Sequence, residues 1–235
     1  MSHSQTIPTV NDRTLIVVAA PRECRSVLDA LGGRDMELPK VWDLVRLDQC
    51  DLVMSGVGKS NAAGATARVL DPVVHGRVWG VGIAGALPGS GLGLADVVIG
   101  TRSVFADEGI GSDTGFIPMN DAGFGAFPDG TMHADHDADA IVVPGARRGT
   151  IATVSWCSGS DGCARGVVDR TGAICEAMEG ASVALAALRV SPSIQTGEIR
   201  VISNTTGDRA SQRWALDESL DRLGEVLGRV TGSCE

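Results

Sequence analysis

Short apolar runs recur along the chain, set apart by Gly, Pro, Asp and Ser, and longer amphipathic or alanine-rich stretches fall between them. Thr14-Leu15-Ile16-Val17-Val18-Ala19 is continuous and bounded by turn signals, so it reads as a buried strand. Pro21 suits the first turn of a helix, and residues 22–32 then put Val27, Leu28 and Leu31 on one face. Residues 41–47 alternate, as an antiparallel or edge strand does. Residues 51–54 form another strand, closed by Ser55-Gly56-Val57-Gly58, and the alanine-rich 59–70 follows as a helix. Further strands are expected at 77–82, 95–100 (with 102–107 extending it or pairing with it), 149–156, 173–178 and 198–203. Helices are expected at 163–169 and 181–189. A last helix lines up Leu216, Leu220, Leu223, Val226 and Leu227 on its apolar face. From 108 to 145 the pattern dissolves into Gly, Pro, Asp and Phe, with Phe116, Phe124 and Phe127 exposed and out of period. Such a stretch is a functional cover or disordered.

Composition sharpens this picture. Of 235 residues, 43% are hydrophobic, 31 are Gly and none is Tyr, so the core is built of Val, Ile, Leu and Ala. That suits buried parallel strands with helices on both faces, an α/β class. Nothing resembles a linker, so residues 13–235 read as one domain behind a frayed tail, residues 1–12. A net charge of −9 without a basic tract argues against nucleic acid or an acidic membrane as partner. No apolar run approaches the roughly 20 residues that span a bilayer. The polar N-terminus lacks the apolar core of a secretory signal. Six cysteines without a CxxC pair fit a reducing, cytoplasmic setting, with most thiols as small core residues.

Two glycine motifs invite nucleotide readings and fail them. Gly56-Val57-Gly58-Lys59-Ser60 would need a glycine five positions before Gly58 to make a phosphate loop, and Val53 stands there. Gly80-Val81-Gly82-Ile83-Ala84-Gly85 matches GxGxxG, but Ala86-Leu87-Pro88-Gly89-Ser90-Gly91 cannot open the helix that the dinucleotide fingerprint requires. What remains is bare backbone at Ala84-Gly85, against which a flat ring could lie. The run from Met132 to Asp139 holds two His and three Asp without the spacing of a closed zinc site. It reads as a solvated acidic loop or short helix, and no metal is expected. Three polar side chains then stand at strand ends. Glu179 follows the 173–178 run and precedes Gly180-Ala181, at the carboxyl end of a strand where open α/β sheets bind ligands. The competing reading is that it only caps and charges the next helix's first turn. Glu23 lies in the first turn of the first helix, and Asn204 ends the 198–203 strand.

Residues 17–23, 55–62, 82–89, 177–181 and 200–208 together resemble the nucleoside phosphorylase/nucleosidase superfamily, in the right order over 14–230. Within it the chain looks most like the futalosine hydrolases, nucleosidases of an alternative menaquinone pathway. Gly82-Ile83-Ala84-Gly85, Phe105-Ala106-Asp107, the 199–204 strand with Gly207-Asp208-Arg209, and Trp214 carry that narrower match. The resemblance implies a single-domain three-layer α/β/α sandwich around a central mixed, largely parallel twisted sheet, acting without metal or cofactor on a small nucleoside as a homodimer or higher homo-oligomer. It also implies roles. Glu23 activates water, Met178 and Glu179 hold the ribose, and Asn204 replaces the Asp that protonates adenine in methylthioadenosine/S-adenosylhomocysteine nucleosidases. Asp208 or water would supply a proton if the base does not leave as an anion.

That replacement bears on the substrate. Hypoxanthine presents acceptors at N7 and O6, and an amide has two donors to offer them, whereas adenine presents an acceptor and a donor. A mismatched buried pair costs about 1–3 kcal/mol, so Asn204 favours a 6-oxopurine such as that of futalosine. Ile83 and Ala177 depart from the Ser and Glu of the adenine-directed relatives. Glu23 would repel phosphate, which favours a hydrolase over a phosphorylase, while Arg22 could attract an anion. Trp156 or Cys157 faces the base, Trp156 suiting the core equally well, and Arg102 and Arg209 are charge-based choices for the 5′ substituent. Inosine, methylthioadenosine or S-adenosylhomocysteine as substrate, a non-catalytic nucleoside-binding protein, and a nucleotide switch built on residues 56–60 remain the alternatives.

Overall fold

The computed structural model describes residues 13–113 and 115–232, so the expected tail, residues 1–12, and Cys234 lie outside the described residues. The chain opens with β1 (Arg13–Val18), α1 (Pro21–Ala30), β2 (Leu44–Arg46), β3 (Cys50–Met54) and α2 (Lys59–Val69). Then come β4 (His75–Ala86), β5 (Val97–Phe105), β6 (Gly109–Ser112), β7 (Gly115–Pro118), β8 (His133–Asp135) and β9 (Arg147–Thr153). The last elements are α3 (Asp161–Thr171), β10 (Cys175–Ala177), α4 (Gly180–Val190), β11 (Gln195–Thr205) and α5 (Leu216–Val230).

Burial on both faces explains why β1 is apolar at every position from Leu15 to Val18. Ile16 and Val18 face Val27 and Leu28 of α1 and Leu223, Val226 and Leu227 of α5. Leu15 and Val17 face Ala62 and Ala65 of α2 and Val183 and Ala187 of α4. A strand covered by helices on both sides has no polar position to spare.

The main sheet is mixed, in the order β10-β9-β5-β11-β4-β1-β3-β2, with β8 paired to β5. The short β2 is the antiparallel edge that alternation predicts. An open sandwich would leave β10 at a free edge. Instead β10 also pairs antiparallel with the far end of β4, so β4, β11, β5, β9 and β10 close into a ring. The length of β4 makes this closure available. β1 stops at Val18, opposite Val81, where Pro21 turns the chain into α1. β4 runs on, and Glu176 of β10 takes up Gly85. Residues 82–84 lie between the two pairings, at a split in the sheet. Gly80, Gly82 and Gly85 all sit inside β4, which is why GxGxxG here marks no dinucleotide loop.

The 108–145 stretch is more ordered than its composition suggests. β6 and β7 form a hairpin, and β8 joins the main sheet. Phe127 is not exposed: it is 3% accessible, beside Phe105 and in one cluster with Met132, Ala134, Ala181 and Ala184. Nor is His136 a solvated ligand. Its Nε2 meets Ser103 Oγ at 2.7 Å and its Nδ1 meets Thr196 Oγ1 at 2.9 Å, and burial pulls its pKa down to about 4. Among the described residues, no cluster of three His, Cys, Asp or Glu is placed to hold a metal. No described helix is long and apolar enough to cross a membrane. Cys24 and Cys50 are core thiols that burial pushes up to about 11, and Cys175 is buried likewise, whereas Cys157 is exposed.

Candidate active site

A cleft of about 440 Å³ opens where the sheet splits. Glu23, Ala84, Gly85, Cys157, Met178, Glu179 and Asn204 all line it, although they come from five separate stretches of chain. Ile83 and Ala177 line it too, as do Ser203, Trp214 and Glu176.

Glu23 is set by the start of α1. Its Oε2 reaches back to the Ala20 amide at 2.8 Å, the reciprocal half of a capping box. Its Oε1 accepts the Ile83 amide at 2.9 Å, a donor that neither β1 nor β10 reaches in the split. The carboxylate is 5% exposed. A Cβ on Gly82 would stand 2.5 Å from Glu23 Oε1 and 2.7 Å from Arg200 Nη1, so only glycine admits both groups. Burial raises the Glu23 pKa above the ordinary carboxylate range, and the nearby Glu179 adds to that. The Ile83 and Ala20 amides and the Arg200 charge pull the other way. A carboxylate with a raised pKa is the stronger base.

Behind the cleft floor lies Arg200, 1% exposed. Its Nε donates to Glu198 Oε1 at 2.8 Å and its Nη1 is 3.3 Å from Glu179 Oε2. Burial works against its charge, but Glu198, Glu179 and Glu23 outweigh that and hold its pKa above the ordinary value. Ser103 donates to the other Glu198 oxygen. Glu179 also accepts the Gly58 amide at 3.1 Å. The turn that mimics a phosphate loop thus aims its amide at a carboxylate of the protein itself. Glu179 occupies the N-cap position of α4, but its side chain makes no capping hydrogen bond there and is engaged instead by Gly58 and Arg200.

Asn204 follows a bulge in β11 and pairs with Gly85. Ser203 Oγ lies 3.0 Å from its Oδ1, and its Nδ2 donates to the Thr205 carbonyl at 3.0 Å. One of its two N–H groups is therefore committed, and one remains for a ligand. The chain after β11 folds back: Thr205 N–H bonds Arg213 O, and Trp214 bridges to Asn204, bringing its indole to the cleft wall.

The remaining expectations fall elsewhere. Asp208 does not line the cleft. It is exposed, its carboxylate accepts the Ala210 amide at 3.2 Å, and it serves its own turn. Arg102 pairs with Asp135 at 2.7 Å. Arg209 lines an adjoining pocket of about 200 Å³. Trp156 is neither core nor cleft: it is 59% exposed, beside Asp107 and Arg170.

Sequence reasoning missed Glu176, Glu198 and Arg200. A signal existed for each. Glu198 and Arg200 are two apart in a buried strand, hence on one face, and inward charges at that spacing must pair. Glu176 interrupts an apolar run. It is 4% exposed and accepts the Ser158 amide at 2.7 Å and the Ser158 hydroxyl at 2.6 Å.

Residues 48–232 match the family model described as Phosphorylase superfamily. The chain is 33% identical to a futalosine hydrolase of Streptomyces coelicolor, over 78% of this chain and 79% of that protein. It is 32% identical to a futalosine hydrolase of Acidothermus cellulolyticus, over 93% and 90% of the two chains. The structure of a futalosine hydrolase mutant of Helicobacter pylori superimposes with a TM-score of 0.71 at 19% identity, covering 94% of this chain and 99% of that one, which speaks for the fold.

Proposed function

The chain belongs to the phosphorylase superfamily and, within it, to the futalosine hydrolases; from that premise and the geometry of the cleft we propose that it hydrolyses the N-ribosidic bond of futalosine, releasing hypoxanthine. The observation that carries this reading is the convergence of the Glu23 and Glu179 carboxylates and the Asn204 amide on one cleft. Breaking the bond sends its electron pair to the base and leaves an oxocarbenium-like sugar, as in glycosidases. Glu23 takes a proton from the water that attacks the anomeric carbon. Glu179 accepts from a ribose hydroxyl, with Met178 against the sugar. Asn204 donates its uncommitted N–H to the departing base, and Ala84 and Gly85 offer bare backbone to the ring. Residues 13–235 act as one catalytic unit, in the cytoplasm and as a homo-oligomer. The product sugar would feed the alternative menaquinone route that the resemblance implies.

The direct test is incubation of the purified protein with futalosine, inosine and GTP, followed by chromatography. Hypoxanthine from futalosine is expected. Intact nucleosides bound without cleavage would instead identify a binding protein.

Two further outcomes follow from the geometry. Because Glu23 must be ionised to act as base and its pKa is raised, kcat/KM should fall on the acid side with a midpoint above the ordinary carboxylate range. A profile that stays flat down into that range counts against the assignment. Asn204→Asp should move the ratio of kcat/KM values about 5–150-fold towards a 6-aminopurine nucleoside, the range that one mismatched buried hydrogen bond allows. An unchanged ratio removes Asn204 from base selection.

A further inference from the structure

Gly85 is paired on both edges, with Glu176 of β10 on one side and Asn204 of β11 on the other. Residues directly opposite in a sheet project from the same face. Only glycine fits there: a Cβ would stand 2.7 Å from Thr206 Cγ2 and 3.2 Å from Asn204 Nδ2. Glu176 and Asn204 therefore flank one strand position without a side chain, two strand spacings or about 10 Å apart at the main chain. Both line the cleft and the adjoining pocket.

We infer that Glu176 is the second base-recognition residue of this site, its carboxylate accepting the N1–H of a 6-oxopurine whose N7 or O6 meets Asn204. The inference rests on the nucleosidase reading above and adds the group that selects the base. Asn204 has one N–H to give and cannot read both edges of a purine alone. Glu176 has capacity left. Each of its oxygens takes one bond from Ser158, and a carboxylate oxygen carries two lone pairs. Both Ser158 groups donate, which favours the ionised, acceptor-only form against the burial that raises its pKa. Around its edge a 6-oxopurine reads acceptor at N7, acceptor at O6 and donor at N1. A 6-aminopurine reads acceptor, donor, acceptor. An amide donor on one flank and an anionic acceptor on the other match the first order. They set a carboxylate against the N1 lone pair in the second.

Glu176→Gln keeps the length of the side chain and an acceptor for the Ser158 amide. It should lower kcat/KM for futalosine about 10–100-fold and leave the 6-amino counterpart of the same nucleoside unchanged or better used. Equal losses on both substrates would mean that Glu176 only anchors Ser158, and would overturn the inference. A second measurement needs no variant. By calorimetry the unaltered protein should bind hypoxanthine at least about 10-fold more tightly than 1-deazahypoxanthine, which carries C–H in place of N1–H. Equal affinity for the two would also overturn it. Failure of the nucleosidase reading shows separately, as a protein that prefers hypoxanthine in calorimetry but leaves futalosine uncleaved.

Discussion

Replacing Glu23 with glutamine is expected to slow hypoxanthine release by about 10²–10⁴-fold while the protein stays folded and still binds nucleoside. The amide preserves the size of the side chain, and its oxygen can still accept the Ile83 N–H across the split in β4. What it cannot do is take a proton from water. The Ala20 amide then faces either an oxygen or an NH₂ group, at a cost that falls on local stability and not on turnover alone. Single-turnover release, followed by chromatography alongside nucleoside binding by calorimetry, separates the two effects. Near-normal turnover would exclude Glu23 as the base.

Replacing Arg200 with leucine is expected to destabilise the fold by about 3–5 kcal/mol, the usual consequence of leaving a buried ion pair without one partner. Here three carboxylates lose the same guanidinium: Glu198 and Glu179 in direct contact, and Glu23 through its charge. Arg200 is one of the groups that hold the Glu23 pKa down against burial, so without it the already raised folded-state value of Glu23 must rise further. The sign follows from linkage. Carboxyls protonated in both states carry no penalty, so the variant should be least damaged below the pKa of an unfolded glutamate. It should lose stability as pH rises through the higher folded value of Glu23. Urea unfolding of both proteins at acid and neutral pH measures this. A small loss that is the same at both would show that the cluster does not depend on Arg200.

Glu23, Glu179 and Asn204 were visible in the sequence because each stands near a boundary of an element whose period is easy to read. Pro21 starts a helix, a glycine-alanine pair follows an apolar run, and Asn204 comes one residue before the end of a Val-Ile-rich strand. Asp208 misled for the same reason: it stands in the right turn, but its carboxylate is used by that turn. Phe127 and His136 lay in a stretch without period, where composition gives no direction, and both are placed by partners far away in sequence.

The sequence by itself determined the alternation of strands and helices, the candidate acids and amide, and the exclusion of the two nucleotide motifs, because periodicity and turn chemistry act over a few residues. Only the tertiary structure decided that β10 would return to the end of β4, that the gap so formed would hold Glu23, and that Glu176 and Asn204 would flank Gly85. Those facts depend on strand order and register between segments 60 or more residues apart. No local pattern encodes them; they are settled when the long β4 outruns β1 and its open backbone must find partners.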